Sequence, residues 1–108
     1  MLYHLVTNPI EWDSAGEYHP ASLETEGFVH LSFGDQVAWV ANQFLKTAPN
    51  LWVVEIDPSR LLGELRVEDP GVGKGFPHLY GPILRPSVVR VFPLTRSGEG
   101  EWVFPVSS

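Results

Sequence analysis

Histidine 30 lies in Glu26-Gly27-Phe28-Val29-His30-Leu31-Ser32, directly before an amphipathic stretch. An imidazole between apolar neighbours at a strand-to-helix junction can donate, accept or carry charge near neutral pH. The other histidines are His4, His19 and His78. His78 belongs to Phe76-Pro77-His78-Leu79-Tyr80-Gly81-Pro82, where two prolines and a glycine suggest a stiff aromatic turn presenting one imidazole and the Tyr80 phenol. The matching structural expectation is a tight turn with Tyr80 packed inside.

Several chemistries lack their residues. The four histidines show no His-x-His or His-Glu-x-x-His spacing, so no metal cradle is expected. Without cysteine there is no thiol nucleophile, and no Gly-x-Ser-x-Gly elbow marks an activated serine. Ser32 and His30 are alternate residues that share a face of a strand, which by itself defines no nucleophile and base. Gly71-Val72-Gly73-Lys74-Gly75 lacks Walker spacing and a following helix. It reads as a flexible loop or, functionally, as a mobile lid whose Lys74 touches phosphate.

Elements that position these residues follow from the pattern. Leu2 to Thr7 reads as a first strand carrying His4, and residues 9–16 as a short helix behind Pro9, ended by Gly16. Tyr18 to Glu24 is less regular, with an extended piece and a helical turn, and Phe28 to Leu31 is a short extended segment. From Asp35 to Lys46, Val37, Val40, Ala41, Phe44 and Leu45 recur at helical spacing, with Ser32 or Gly34 as cap. Leu51 to Ile56 is a continuous apolar run expected of a central strand buried on both faces. Asp57-Pro58 opens a capped turn, and Leu65 to Glu68 alternates as a half-exposed strand before the 69–75 loop. Val88 to Leu94 is a strand with which Trp102 to Phe104 should pair across Gly98-Glu99-Gly100. Trp12, Trp39, Trp52 and Trp102 are core or wall residues without an assigned role. The sum is an α+β fold of about six short strands and two or three helices.

The 108 residues form a single domain, and 44% apolar residues suffice for a core without disulfide or metal. Absence of cysteine fits a cytoplasmic setting. No signal-peptide pattern and no run of 18 apolar residues occurs. A net charge of −6 disfavours a general nucleic-acid binder. Only Lys46 precedes position 60; Arg60, Arg66, Lys74, Arg85, Arg90 and Arg96 follow, either as ordinary surface charge or as a set converging on a small anion.

Together, Glu-Gly-Phe-Val-His-Leu-Ser, the Asp35-Gln36 helix start and Phe-Pro-His-Leu-Tyr-Gly-Pro resemble domain-of-unknown-function family 952 of small bacterial proteins, over essentially the whole chain. The resemblance implies an ADP-ribosylation-type fold, the split-sheet architecture of NAD-consuming transferases. More distantly, Leu2-Tyr3-His4 and Phe28-Val29-His30-Leu31-Ser32 resemble two segments of RNA 2'-phosphotransferases, in the same order. That similarity implies that His4 and His30 share a pocket for an NAD-derived ribose, and it reaches no further residue; Ser32 beside them and His78 or Tyr80 at the rim are added as candidates from their place in the chain. Leu5-Val6 stands where those transferases have Gly-Thr, and the toxin-type glutamate has candidates by type only in Glu55, Glu64, Glu68 and Glu101. The implied function is binding of NAD or an ADP-ribose-containing ligand, with His4 and His30 as candidate catalytic residues for ADP-ribosyl transfer or phosphate removal. A non-catalytic small-ligand or protein-interaction module on the same fold is the alternative, followed by an unrelated hydrolase or metal-dependent enzyme.

Overall fold

The computed structural model describes residues 1–105. In chain order its elements are β1 (Leu2–Val6), β2 (Glu17–Tyr18), α1 (Ala21–Thr25), β3 (Val29–His30), α2 (Val37–Phe44), β4 (Trp52–Ile56), β5 (Glu64–Glu68), β6 (Phe76–Tyr80), β7 (Ile83–Leu84), β8 (Val88–Pro93), β9 (Thr95–Arg96) and β10 (Trp102–Val103), with 3-10 turns at Pro58–Arg60 and Arg85–Ser87. It is a mixed α and β fold in which every strand pair is antiparallel. Two three-stranded sheets, β1-β4-β8 and β3-β6-β5, dominate, and two short ribbons, β2-β7 and β9-β10, complete it.

β4 is the spine, as its apolar run predicts. Val54 and Ile56 face a core of Leu2, Val6, Val29, Leu31, Leu79 and Ile83. On the opposite face, Val53 joins Leu51, Val37, Ala41, Leu94 and Trp102. The two sheets are stitched at one point, where Tyr3 and Ser32 exchange backbone hydrogen bonds of 2.9 and 2.8 Å. That bridge brings the β1 histidine to the end of β3.

The ladder between β3 and β6 stops early for a chemical reason. Leu31 N–H donates to the Pro77 carbonyl at 3.0 Å, but Pro77 has no N–H to return. The chain after His30 is therefore free to turn toward Tyr3. Residues 76–82 are accordingly not the stiff turn expected from their prolines: 76–80 form the central strand of the second sheet.

Three further expectations are corrected. Residues 9–16 hold no helix, because the Asp13 carboxylate accepts the Ala15 and Glu17 N–H groups at 2.9 Å each and folds the chain into a turn, closed by Gly16 at φ +74°. α2 begins at Val37 rather than Asp35 and has no side-chain cap: the Ser32 backbone is tied to Tyr3, and the Gln36 side chain accepts from Phe33 N–H at 3.0 Å and donates to the Gly75 carbonyl at 2.7 Å, holding the turn that precedes the helix. β10 pairs with Thr95–Arg96, not with the 88–94 strand, which stays on β4 through Leu94 N–H donating to the Leu51 carbonyl at 2.9 Å. No helix among the described residues is long and apolar enough to cross a membrane.

Candidate functional site

A cavity of about 520 Å³ opens where β1, the end of β3, α2, β6 and the 69–75 loop meet. His4, His30, Ser32 and His78 all line it, on an otherwise apolar wall that includes Val40, Phe44, Val72 and Phe76. The sheet register explains the convergence: His30 pairs directly with His78 across β3 and β6, and His78 with Arg66 across β6 and β5. The Tyr3–Ser32 bridge delivers His4 from the other sheet.

Each imidazole is tied at one nitrogen. His4, 8% exposed, donates from Nδ1 to the His30 carbonyl at 2.8 Å. A carbonyl only accepts, so the proton sits on Nδ1 and Nε2 is left as an acceptor. Burial pushes the His4 pKa down to about 4, keeping the ring neutral at physiological pH. His30 is exposed and meets the Glu26 carboxylate through Nε2 at 2.9 Å. His78 is buried and meets the Glu68 carboxylate through Nδ1 at 2.9 Å.

Glu68 is held from two sides. Tyr80 donates its hydroxyl to the same Glu68 oxygen at 2.5 Å, and the Tyr80 and His78 bonds together hold this carboxyl below the usual carboxylate range. The Tyr80 phenol is pushed up, chiefly by its bond to Glu68. Phe28 stacks on the His78 ring at 4.0 Å between centroids, and His30 meets His78 edge-on at 5.4 Å. The outcome is a Tyr80–Glu68–His78 chain with the Nε2 edge of His78 making no protein hydrogen bond among the described residues.

Four of the five sequence-predicted site residues thus share one cavity, and Tyr80 does not. One pleat further along β6, Tyr80 faces Glu64 in register and lies under the Arg66 guanidinium at 4.6 Å. It reaches the site through its hydrogen bond to Glu68 and its contact with the Phe28 ring. Lys74 likewise stands over the Trp39 ring at 4.1 Å rather than on the cavity wall. Its loop is shaped by Asp69, whose carboxylate accepts the N–H groups of Gly71 and Val72, both at 2.8 Å, and of Gly73. Those bonds hold the Asp69 carboxyl below its ordinary pKa and press Pro70 and Val72 onto the cavity.

The second-half arginines do not converge on the cavity. Arg60 meets Asp57, Arg66 meets Glu64, Arg90 meets Glu55, and Arg96 donates to the Ala48 and Gly100 carbonyls over the Trp102 ring. Glu101 pairs with Lys46. No lysine, arginine or glutamate lines the cavity among the described residues. His19 lies elsewhere, with Asp13 and Glu17; this is the one group of three such side chains among the described residues whose ligand atoms fall within 4.8 Å of one another. The cavity imidazoles are too widely spread for that. Sequence reasoning missed Glu26 and Phe28 and gave Glu68 by type alone; the alternation Glu64, Arg66, Glu68 opposite Phe76, His78, Tyr80 was the available signal.

A family model described as a protein of unknown function (DUF952) matches residues 6–91. The chain belongs to this family. Its three-dimensional likeness is to protein CC0527 of Caulobacter crescentus: the crystal structure is 30% identical, with a TM-score of 0.77 over 94% of this chain and 92% of that one. The solution NMR structure of CC0527 is 31% identical, with a TM-score of 0.73 over 93% and 89% of the two chains. No curated protein matches the chain. The DUF952 match covers His30, Ser32, Glu68, His78 and Tyr80, while Tyr3 and His4 lie just before its first residue.

Proposed function

We propose that this cavity binds the ribosyl portion of NAD or of an ADP-ribose-containing ligand. The observation that carries the reading is the convergence of His4 and His30 on one cavity from different sheets, the two positions that the likeness to RNA 2'-phosphotransferases pairs on a ribose. The Nε2 of His4 is a fixed acceptor suited to a ribose hydroxyl, and it adds no positive charge beside a carbon that becomes oxocarbenium-like. The apolar wall suits a planar base, and about 520 Å³ lies within the range of small-molecule sites. With no cation on the wall, the phosphates lie at the mouth, on the side of the 69–75 loop that carries Lys74. Because Glu68 is turned to His78 and Tyr80, the geometry favours ligand binding over glutamate-assisted ADP-ribosyl transfer.

Calorimetric titration of metal-free protein with NAD, ADP-ribose and a 2'-phosphorylated oligonucleotide tests this. NAD and ADP-ribose bind, and His4→Ala and His30→Ala each weaken them about tenfold or more, the cost of losing a directed polar contact. Heat that survives both substitutions sinks the proposed pocket. A second reading, a protein-interaction module on the same fold, is favoured by Leu5 on the wall where the transferases have glycine. It predicts no heat with either nucleotide at millimolar concentration.

A further inference from the structure

We propose that His78 is the general base of a hydrolytic activity in this cavity, activating water against the N-glycosidic bond of a pyridinium ribonucleotide, with Glu68 and Tyr80 as positioning residues. The inference rests on the ribosyl-binding reading above. It starts from a side-chain chain that binding alone does not need. Glu68 accepts from His78 Nδ1 at 2.9 Å and from the Tyr80 hydroxyl at 2.5 Å, so it fixes the imidazole's tautomer and orientation from behind. His78 itself is 3% exposed, yet it lines the cavity, and Phe28 stacked at 4.0 Å locks the ring plane. Its remaining nitrogen, Nε2, is the acceptor edge that a carboxylate-backed base presents to its substrate.

The groups present select the bond. The other two cavity imidazoles are differently employed: His4 is a buried neutral ring whose only proton is given to a carbonyl, and His30 is exposed and paired with Glu26. No carboxyl group lines the wall to act as an acid toward a leaving group, among the described residues. A pyridinium leaving group needs none. Water held at Nε2 attacks the anomeric carbon; the new C–O bond forms as the C–N bond breaks, and the bonding pair leaves with the ring nitrogen, which becomes a neutral pyridine. The water proton passes to Nε2, the imidazolium is stabilised by the Glu68 carboxylate at Nδ1, and the proton then returns to solvent. For NAD the products are ADP-ribose, nicotinamide and one proton, and the only co-reactant is water.

The test follows nicotinamide release from NAD by chromatography across pH, beside NAD binding by calorimetry. The expected result is slow release that His78→Asn lowers by about 100-fold or more while NAD still binds. Glu68→Gln and Tyr80→Phe supply the readout that a merely structural role does not move. The groups facing His78 are Glu68 and Arg66 from β5, Tyr80 from its own strand, and His30 from β3. Removing the carboxylate charge makes the imidazole a weaker base, so Glu68→Gln lowers the plateau and moves the acid limb of the rate profile to lower pH. Removing the phenol leaves more charge on Glu68, so Tyr80→Phe moves that limb to higher pH. Binding without release, or release that survives His78→Asn, overturns the inference and leaves the binding reading standing. Limbs that stay put in both positioning variants overturn the roles of Glu68 and Tyr80. Failure of NAD and ADP-ribose to bind overturns the binding reading and the inference with it.

Discussion

β4 and β6 hold the same position in their sheets, five residues between two antiparallel neighbours, but they are built from opposite materials. β4 reads Trp-Val-Val-Glu-Ile; its Val53, Val54 and Ile56 have no exposed surface, and its faces feed two separate apolar clusters. β6 reads Phe-Pro-His-Leu-Tyr, and there only Leu79 is wholly buried apolar, while Pro77 withholds a ladder bond and His78 places an imidazole where packing would favour valine. Proline is rare in a central strand and a buried histidine needs partners, so β6 breaks two local rules that β4 obeys. Such departures gather where function is housed. Stability resides in β4, and the chemistry proposed for this protein resides in β6.

The largest effect should come from β4. Ile56→Ala empties a fully buried site and should cost about 2–5 kcal/mol in chemical denaturation, leaving NAD affinity unchanged in the folded fraction. His78→Asn should show the converse, a smaller loss of stability with altered site behaviour. Equal stability losses for the two would erase the distinction between the strands.

Next comes the pH dependence contributed by His4, where the two sheets meet. Its folded-state pKa of about 4 lies below the ordinary 6.5, so between those values the unfolded chain binds more protons than the folded one. Stability from the neutral ring is complete above pH 6.5, declines as pH falls through the window, and is gone below about pH 4. At 1.36 kcal/mol per pKa unit the contribution is about 3 kcal/mol. His4→Gln, whose amide can donate to the same carbonyl, should flatten this part of the curve. Denaturation midpoints collected between pH 4 and 7 check it.

The expected effect of Pro77→Val is smaller. It supplies the missing N–H, extends the β3 ladder toward Leu31 and changes stability by no more than about 1 kcal/mol. Slower amide exchange at residues 29–31 is the sign that the proline had shortened the strand. Smallest is Arg90→Gln at the edge of the β4 sheet, where an ion pair with a half-exposed arginine is worth less than about 1 kcal/mol and fades with salt.

The contrast between the strands also marks what could be read from sequence. The β4 run was legible because burial on both faces leaves an uninterrupted apolar signature, and α2 was legible from its 3.6-residue period. The true start of α2 was not, because the turn before it is held by Gln36 reaching Gly75, 39 residues away. Residues 9–16 misread because a single Asp13 side chain outcompetes helical hydrogen bonding. At the site, His4 and His30 were found by resemblance of short segments, and the structure places both on one cavity. Glu68 could be given only by residue type, since its link to His78 depends on a hairpin whose loop is shaped by Asp69. Tyr80 was assigned to the rim because its stiff surroundings suggested a turn, whereas on a strand it points one pleat away.

The most direct test of the central claim, that three differently tied imidazoles form one ribosyl site, is long-range proton–nitrogen NMR of the histidine rings during titration with ADP-ribose at pH 7. His4 should be neutral with its proton on Nδ1 before ligand is added, and saturation should shift His4 Nε2 together with His30 and His78 along one binding curve while His19 stays still. A doubly protonated His4, or ring shifts confined to His19, would contradict it.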